Sequence, residues 1–138
     1  MFIFENYKNE GHFYNYINAK FQLAHNNVYD DIPFLINGEQ HFFAWYEVEI
    51  PDKALNLAPM LFNVAMSELL NNDDDEFIDA PEVLRNGNWY LAIEVYSDNE
   101  KDCLAENTLS REAVLKYLRA LKKEYLATHN YNEVVFKN

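Results

Sequence analysis

Glu47, Glu49 and Glu94 are the carboxylates that the sequence places best for acid–base work. Glu47 and Glu49 stand two apart in a run of alternating residues, so they share one face of a strand. Glu94 lies in a second alternating run. If the two strands pair in register, three carboxylates converge, and crowding would raise a pKa or hold a divalent ion. No lysine is placed to complete a nuclease-like set, and none of the histidines is locally paired with the three carboxylates. No catalytic residue is therefore expected.

The other reactive side chains point the same way. His12, His25, His41 and His129 are the four histidines, and no two stand at a metal-ligand spacing such as HxxxH. Asp73, Asp74, Asp75, Glu76 and Asp79 suggest a calcium loop, but counting from Asp73 places Ile78 at the sixth position and Leu84 at the twelfth, where an EF-hand needs Gly and Glu. Cys103, the single cysteine, lies between Asp102 and Leu104. Neighbouring negative charge raises a thiol pKa and weakens the nucleophile, so a passive cysteine is expected. Three glycines, Gly11, Gly38 and Gly87, are too scattered to build a phosphate-binding loop. No metal and no cofactor are expected.

The elements that must position these residues follow from periodicity. Met1–Phe4 is a short apolar run that suits an edge strand. Phe13, Tyr16, Ile17, Phe21 and Ala24 follow helical spacing, which predicts an amphipathic helix near residues 12–26, ended by Asn26-Asn27. Pro33–Ile36 and Gln40–Ile50 read as two strands joined by Asn37-Gly38, a strong hairpin signal because both residues tolerate positive φ. In the second strand Phe42, Ala44, Tyr46, Val48 and Ile50 are expected to face the core. His41, Phe43, Trp45, Glu47 and Glu49 then face the other way, under a covering helix or as a binding patch.

Pro59 opens a helix running to about Leu70 that is apolar nearly all round. The acidic run Asn71–Glu76 must be a solvent-facing loop, and Phe77-Ile78 a short return to the core. Trp89, Leu91, Ile93 and Val95 alternate with Tyr90, Ala92, Glu94 and Tyr96, the clearest strand in the chain and the one expected at the centre. The last helix runs from Ser110, a good N-cap, to about Thr128 on the stripe Val114, Tyr117, Leu118, Leu121 and Tyr125. Asn132–Lys137 is expected as a final strand. These elements predict an α+β fold, in which a mixed or antiparallel sheet of about five strands packs with three principal helices. No repeat or linker divides residues 1–138, which implies a single domain.

Charge bears most directly on partners. The chain has 138 residues and a net charge of -12, with a sequence pI of about 4.6. Residues 1–107 hold 20 Asp+Glu against 5 Lys+Arg, whereas residues 108–138 hold 3 against 6. Such a field repels phosphate backbones and anionic membranes, so neither nucleic acid nor membrane is an expected partner. The opening residues have no basic segment followed by a long apolar run, and one free thiol suits a reducing compartment, so a cytoplasmic location is expected.

An acidic field with large aromatics beside it suits a protein that binds a basic protein. Phe43, Trp45, Glu47, Glu49, Asp73, Asp74, Asp75, Glu76, Asp79 and Glu82 are the expected contact residues. The leading expectation is a non-enzymatic immunity protein or inhibitor that neutralises a basic partner such as a bacterial nuclease toxin. A toxin that acts on nucleic acid must be basic, so an acidic inhibitor gains association rate by steering. Two alternatives share the profile. One is an acidic, dimeric secretion chaperone that binds an effector. The other is a phage nucleic-acid mimic that blocks a restriction or CRISPR protein.

Overall fold

The structure is a computed structural model that describes residues 1–51 and 87–135. Its fold is α+β. Strand β1 (Phe2–Glu5) leads to helix α1 (His12–Lys20), strands β2 (Ile32–Ile36), β3 (Glu39–Glu49) and β4 (Trp89–Tyr96), helix α2 (Arg111–Ala127) and a 3-10 helix (Tyr131–Val134). The strands form one antiparallel sheet in the order β1-β4-β3-β2. Among the described residues there are thus four strands and two α-helices rather than five and three. The expected helix from Pro59 to Leu70 and the strand at Phe77-Ile78 lie outside the described residues.

The alternation of β4 decides the core. Leu91, Ile93 and Val95 are buried on the face that meets the helices, beside Phe2 and Phe4 of β1 and Phe43 and Trp45 of β3. Ile32, Phe34 and Ile36 extend this face onto β2. Pro33 is tolerated there because β2 is an edge strand among the described residues, where alternate N–H positions need no partner. The β2–β3 turn is Asn37-Gly38, with φ of 51° and 82°, the pair of positive values that a tight hairpin of this twist requires.

The inward face of β3 is the reverse of the expected one. Phe43 and Trp45 are buried, whereas Phe42, Ala44 and Val48 are partly exposed and Tyr46 is exposed. Only Ile50 of the expected set is buried. Period-two alternation defines two faces without saying which one the helices cover. The aromatic contacts settle it: Phe13 of α1 meets Trp45 edge-on at 4.8 Å and Tyr125 of α2 at 4.9 Å. Phe34 stacks on Tyr117 of α2 at 4.6 Å. Edge-to-face and offset pairs of this kind stabilise beyond their buried area.

Helix α1 stops at Lys20, short of the expected residue 26. Asn18 accounts for the end: its carbonyl oxygen accepts from the Leu23 N–H at 3.1 Å, and its side-chain oxygen accepts from the His25 N–H at 2.8 Å. These bonds curl the chain back through positive φ at Gln22, Ala24, His25 and Asn27. Helix α2 matches its expected span, with Val114, Leu118, Leu121 and Tyr125 buried. Ser110 occupies the N-cap position, but its hydroxyl donates to Glu100 Oε1 at 2.9 Å instead of capping the helix.

At the other end of α2 the stabilising cation comes from elsewhere in the chain. Lys8, between β1 and α1, donates from Nζ to the Tyr125 and Thr128 carbonyls at 2.6 and 2.7 Å. A cation at these orphan carbonyls also complements the helix dipole. Among the described residues the chain beyond α2 is a 3-10 helix rather than the strand expected at Asn132–Lys137, of which Phe136 and Lys137 lie outside the described residues. The Asn130 side chain accepts from the Asn132 N–H and starts the 3-10 helix, which buries Val134. Among the described residues no helix is long and apolar enough to cross a membrane.

Candidate functional site

Beyond the last β2–β3 pair, Ile32↔Phe43, the edge of β3 takes a different neighbour. The Trp45 N–H donates to the Tyr29 carbonyl at 3.0 Å, and the Trp45 indole Nε1 donates to the Val28 carbonyl at 2.6 Å. These two bonds clamp the loop between α1 and β2 onto the sheet edge. Tyr29 is thereby laid over Trp45, the rings stacked at 4.7 Å and 29°.

Tyr29 also meets Tyr14 of α1 at 5.5 Å, and Tyr14 stacks on His25 at 5.9 Å while its hydroxyl hydrogen-bonds His25 Nδ1 at 3.1 Å. The result is a half-open cleft of about 400 Å³ walled by Tyr14, Tyr29, Trp45 and Tyr46. Two carboxylates complete it: Glu47 from β3, and Glu10, next to Gly11 at the start of α1. Among the described residues no Lys, Arg or His lines this cleft.

The two carboxylates differ in their support. Glu47 is half-buried, and its Oε1 accepts from Asn6 Nδ2 at 3.4 Å. Asn6 is itself buried; its Oδ1 accepts from the Tyr125 hydroxyl at 2.8 Å, and its own N–H donates to the Trp89 carbonyl at 2.8 Å. Glu47 is therefore tied through Asn6 to α2 and β4. Glu10 is exposed, and its carboxylate has no hydrogen bond or ion pair among the described residues. The accessible aromatic wall is Tyr29, which is 52% exposed; Tyr46 borders the cleft from the opposite face of β3, where its hydroxyl donates to Met1 Sδ at 3.5 Å. Burial raises the Tyr46 phenol above its ordinary pKa, and the charge of Glu94 adds to this. The site thus presents π-faces and acceptors, the complement of a donor-only cation.

The expected residues are distributed unevenly around this cleft. Trp45 and Glu47 belong to it. Phe43 does not: it is fully buried against Phe21 and Phe34, so it is a core residue and no contact anchor. Trp45 is only 5% exposed and acts as the floor under Tyr29. Glu49 is exposed farther along β3, opposite Trp89. Asp73, Asp74, Asp75, Glu76, Asp79 and Glu82 lie outside the described residues.

The three-carboxylate cluster does not form. Glu47 pairs with Leu91 and Glu49 with Trp89, which share the helix-side face of β4, whereas Glu94 pairs with Ala44 and occupies the opposite face. Among the described residues no group of three His, Cys, Asp or Glu side chains could hold a metal. Cys103 is buried, and desolvation raises its thiol pKa.

Glu10, Tyr14 and Tyr29 were not singled out by sequence reasoning, and Tyr46 was expected to face the core. One signal was present: Val28-Tyr29 is an apolar–aromatic pair inside the polar stretch from Asn26 to Asp31. Apolar residues in such a loop need a surface to lie on. Comparison with protein families, curated proteins and solved structures finds no match to this chain.

Proposed function

We propose that the protein is a non-enzymatic acidic binding module that neutralises a basic protein partner, as an immunity protein does for a nuclease toxin. The observation that carries this reading is the cleft in which three tyrosines and Trp45 stand beside Glu10 and Glu47. Aromatic walls supply anchoring area at low conformational cost, and the carboxylates select for positive charge. The net charge of -12 attracts the same class of partner from a distance. Anchoring and steering thus favour one sign of ligand.

Co-purification of the full chain from the cells that make it, with the captured protein identified by mass spectrometry, tests the reading. The expected partner is basic and toxic, and the chain blocks its activity when the two are mixed. An acidic partner, or a basic one whose activity is untouched by the chain, would overturn it. A stable homodimer carrying an effector would instead favour a secretion chaperone.

A further inference from the structure

We infer that the cleft beside β3 is a receptor for a single arginine side chain of the partner protein, an inference that rests on the binding-module reading above. Three features of the site lead to it. The first is a lining of carboxylates and aromatic rings without a cation among the described residues. The Trp45 indole N–H is already taken by the Val28 carbonyl, and no Lys, Arg or His lines the cleft among the described residues. A ligand that brings positive charge and N–H donors fits that lining, and a guanidinium has five such donors and accepts none.

The second feature is the π-surface of Tyr29, which is 52% exposed and backed by Trp45. A guanidinium is planar and weakly hydrated, so it lies on an aromatic face while its N–H groups stay in plane for carboxylates. A lysine ammonium is compact and strongly hydrated, and it gains less from such a wall.

The third is that the two carboxylates come from different elements. Glu47 is held from below by Asn6, and Glu10 stands at the entry to α1 without a described partner. A fork of N–H donors can engage two carboxylates held on different elements, which a point charge does less well. Tyr29 stacked on Trp45 keeps the wall in place before the ligand arrives, so little ordering is left to the binding step.

The test uses blocked pentapeptides, Gly-Gly-Arg-Gly-Gly and its lysine and citrulline counterparts, titrated into the isotope-labelled full chain and followed by NMR. The arginine peptide is expected to shift the Trp45 indole and the Tyr29 ring signals. It should bind about tenfold more tightly than the lysine peptide. The citrulline peptide, equal in shape but uncharged, should produce no saturable shift. Glu10→Gln and Tyr29→Ala should each weaken the arginine peptide about fivefold or more, while Asp98→Asn in the loop after β4 leaves it unchanged. Glu10 and Tyr29 are exposed, so these variants keep the core intact, and an unchanged amide spectrum away from the cleft verifies that.

Equal binding of lysine and arginine peptides, or shifts spread over the acidic surface away from Trp45, would overturn the inference. The two readings fail separately. A basic partner that binds Tyr29→Ala with undiminished affinity removes the arginine site and leaves the binding module. An arginine peptide that seats at Trp45 when no basic partner exists does the reverse.

Discussion

Single side chains in this protein are governed by which face they occupy. Leu91 and Ile93 lie at the middle of β4 with no exposed surface, flanked by β1 and β3. Leu91→Ala leaves a cavity that the neighbouring strands cannot close, and an expected loss of about 2–5 kcal/mol should appear in urea unfolding. A loss below about 0.5 kcal/mol would contradict that placement. Cys103 behaves as a core residue. Its N–H donates to the Val95 carbonyl at 2.9 Å, and burial holds its thiol protonated. A thiol reagent is expected to label it only as fast as the protein opens, and Cys103→Ser should bind the partner as the natural chain does. Rapid labelling of the folded protein would refute this. Leu91 and Ile93 were legible because apolar residues recur at every second position of β4, although Tyr90 and Ala92 on the other face are buried as well. Glu94 was not, because whether it joins Glu47 depends on register parity. The pairing Glu94↔Ala44 puts it on the far face, and no residue near either strand reports that in advance.

The elements show the same division between local and tertiary information. The hairpin around Asn37-Gly38, β4 and α2 were all readable, since turn chemistry and helical spacing are properties of neighbouring residues. The early end of α1 was not, because the side chain of Asn18 reaches His25 across a break in the periodicity. The cap on α2 is a longer-range case, with Lys8 serving carbonyls more than a hundred residues away. Its ammonium also lies over the Tyr125 and Tyr131 rings at 4.6 and 5.1 Å, and burial pushes its pKa down to about 8. In the unfolded chain a lysine titrates near its ordinary value of about 10.4. Between those values the unfolded chain binds more protons, so stability rises with pH across that window. Below pH 8 the desolvation of the charged form is a constant cost. The neutral amine still has two N–H groups, enough for the two carbonyls it serves. Urea unfolding of the natural chain and of Lys8→Met, compared from pH 7 to 9.5, should show the natural chain gaining relative to the variant above pH 8. A pH-independent difference would show that Lys8 keeps an ordinary pKa.

At the scale of the whole molecule, charge acts before contact. A net charge of -12 attracts a basic partner over distances where the aromatic cleft has no influence. Screening lengths of roughly 8 Å at physiological salt weaken that attraction without removing it. Reversing Asp73, Asp74 and Asp75 to Lys brings the net charge from -12 to -6. Association with a basic partner should then slow and depend less on salt, with dissociation little changed, as stopped-flow traces at several ionic strengths would record. An unaltered salt slope would show that steering comes from other charges. The cleft itself could not be read at this scale from composition. Its walls come from α1, the loop after it and β3, and only the fold brings Tyr14, Tyr29 and Trp45 to one edge.

The strand order carries a consequence for synthesis on the ribosome. β2 and β3 are sequence neighbours and can zip together soon after they emerge. β1 cannot, because among the described residues its strand partner is β4, with Phe2 opposite Ile93 and Phe4 opposite Leu91. Phe2, Ile3 and Phe4 are therefore made early and must wait, uncovered by β4, while residues up to Ile93 are translated at about 5–20 per second. For those seconds an apolar segment with strong strand preference is open to other nascent chains or to a holdase. Slower translation ahead of β4 should lengthen that exposure and lower the folded yield, even though the finished protein is unchanged.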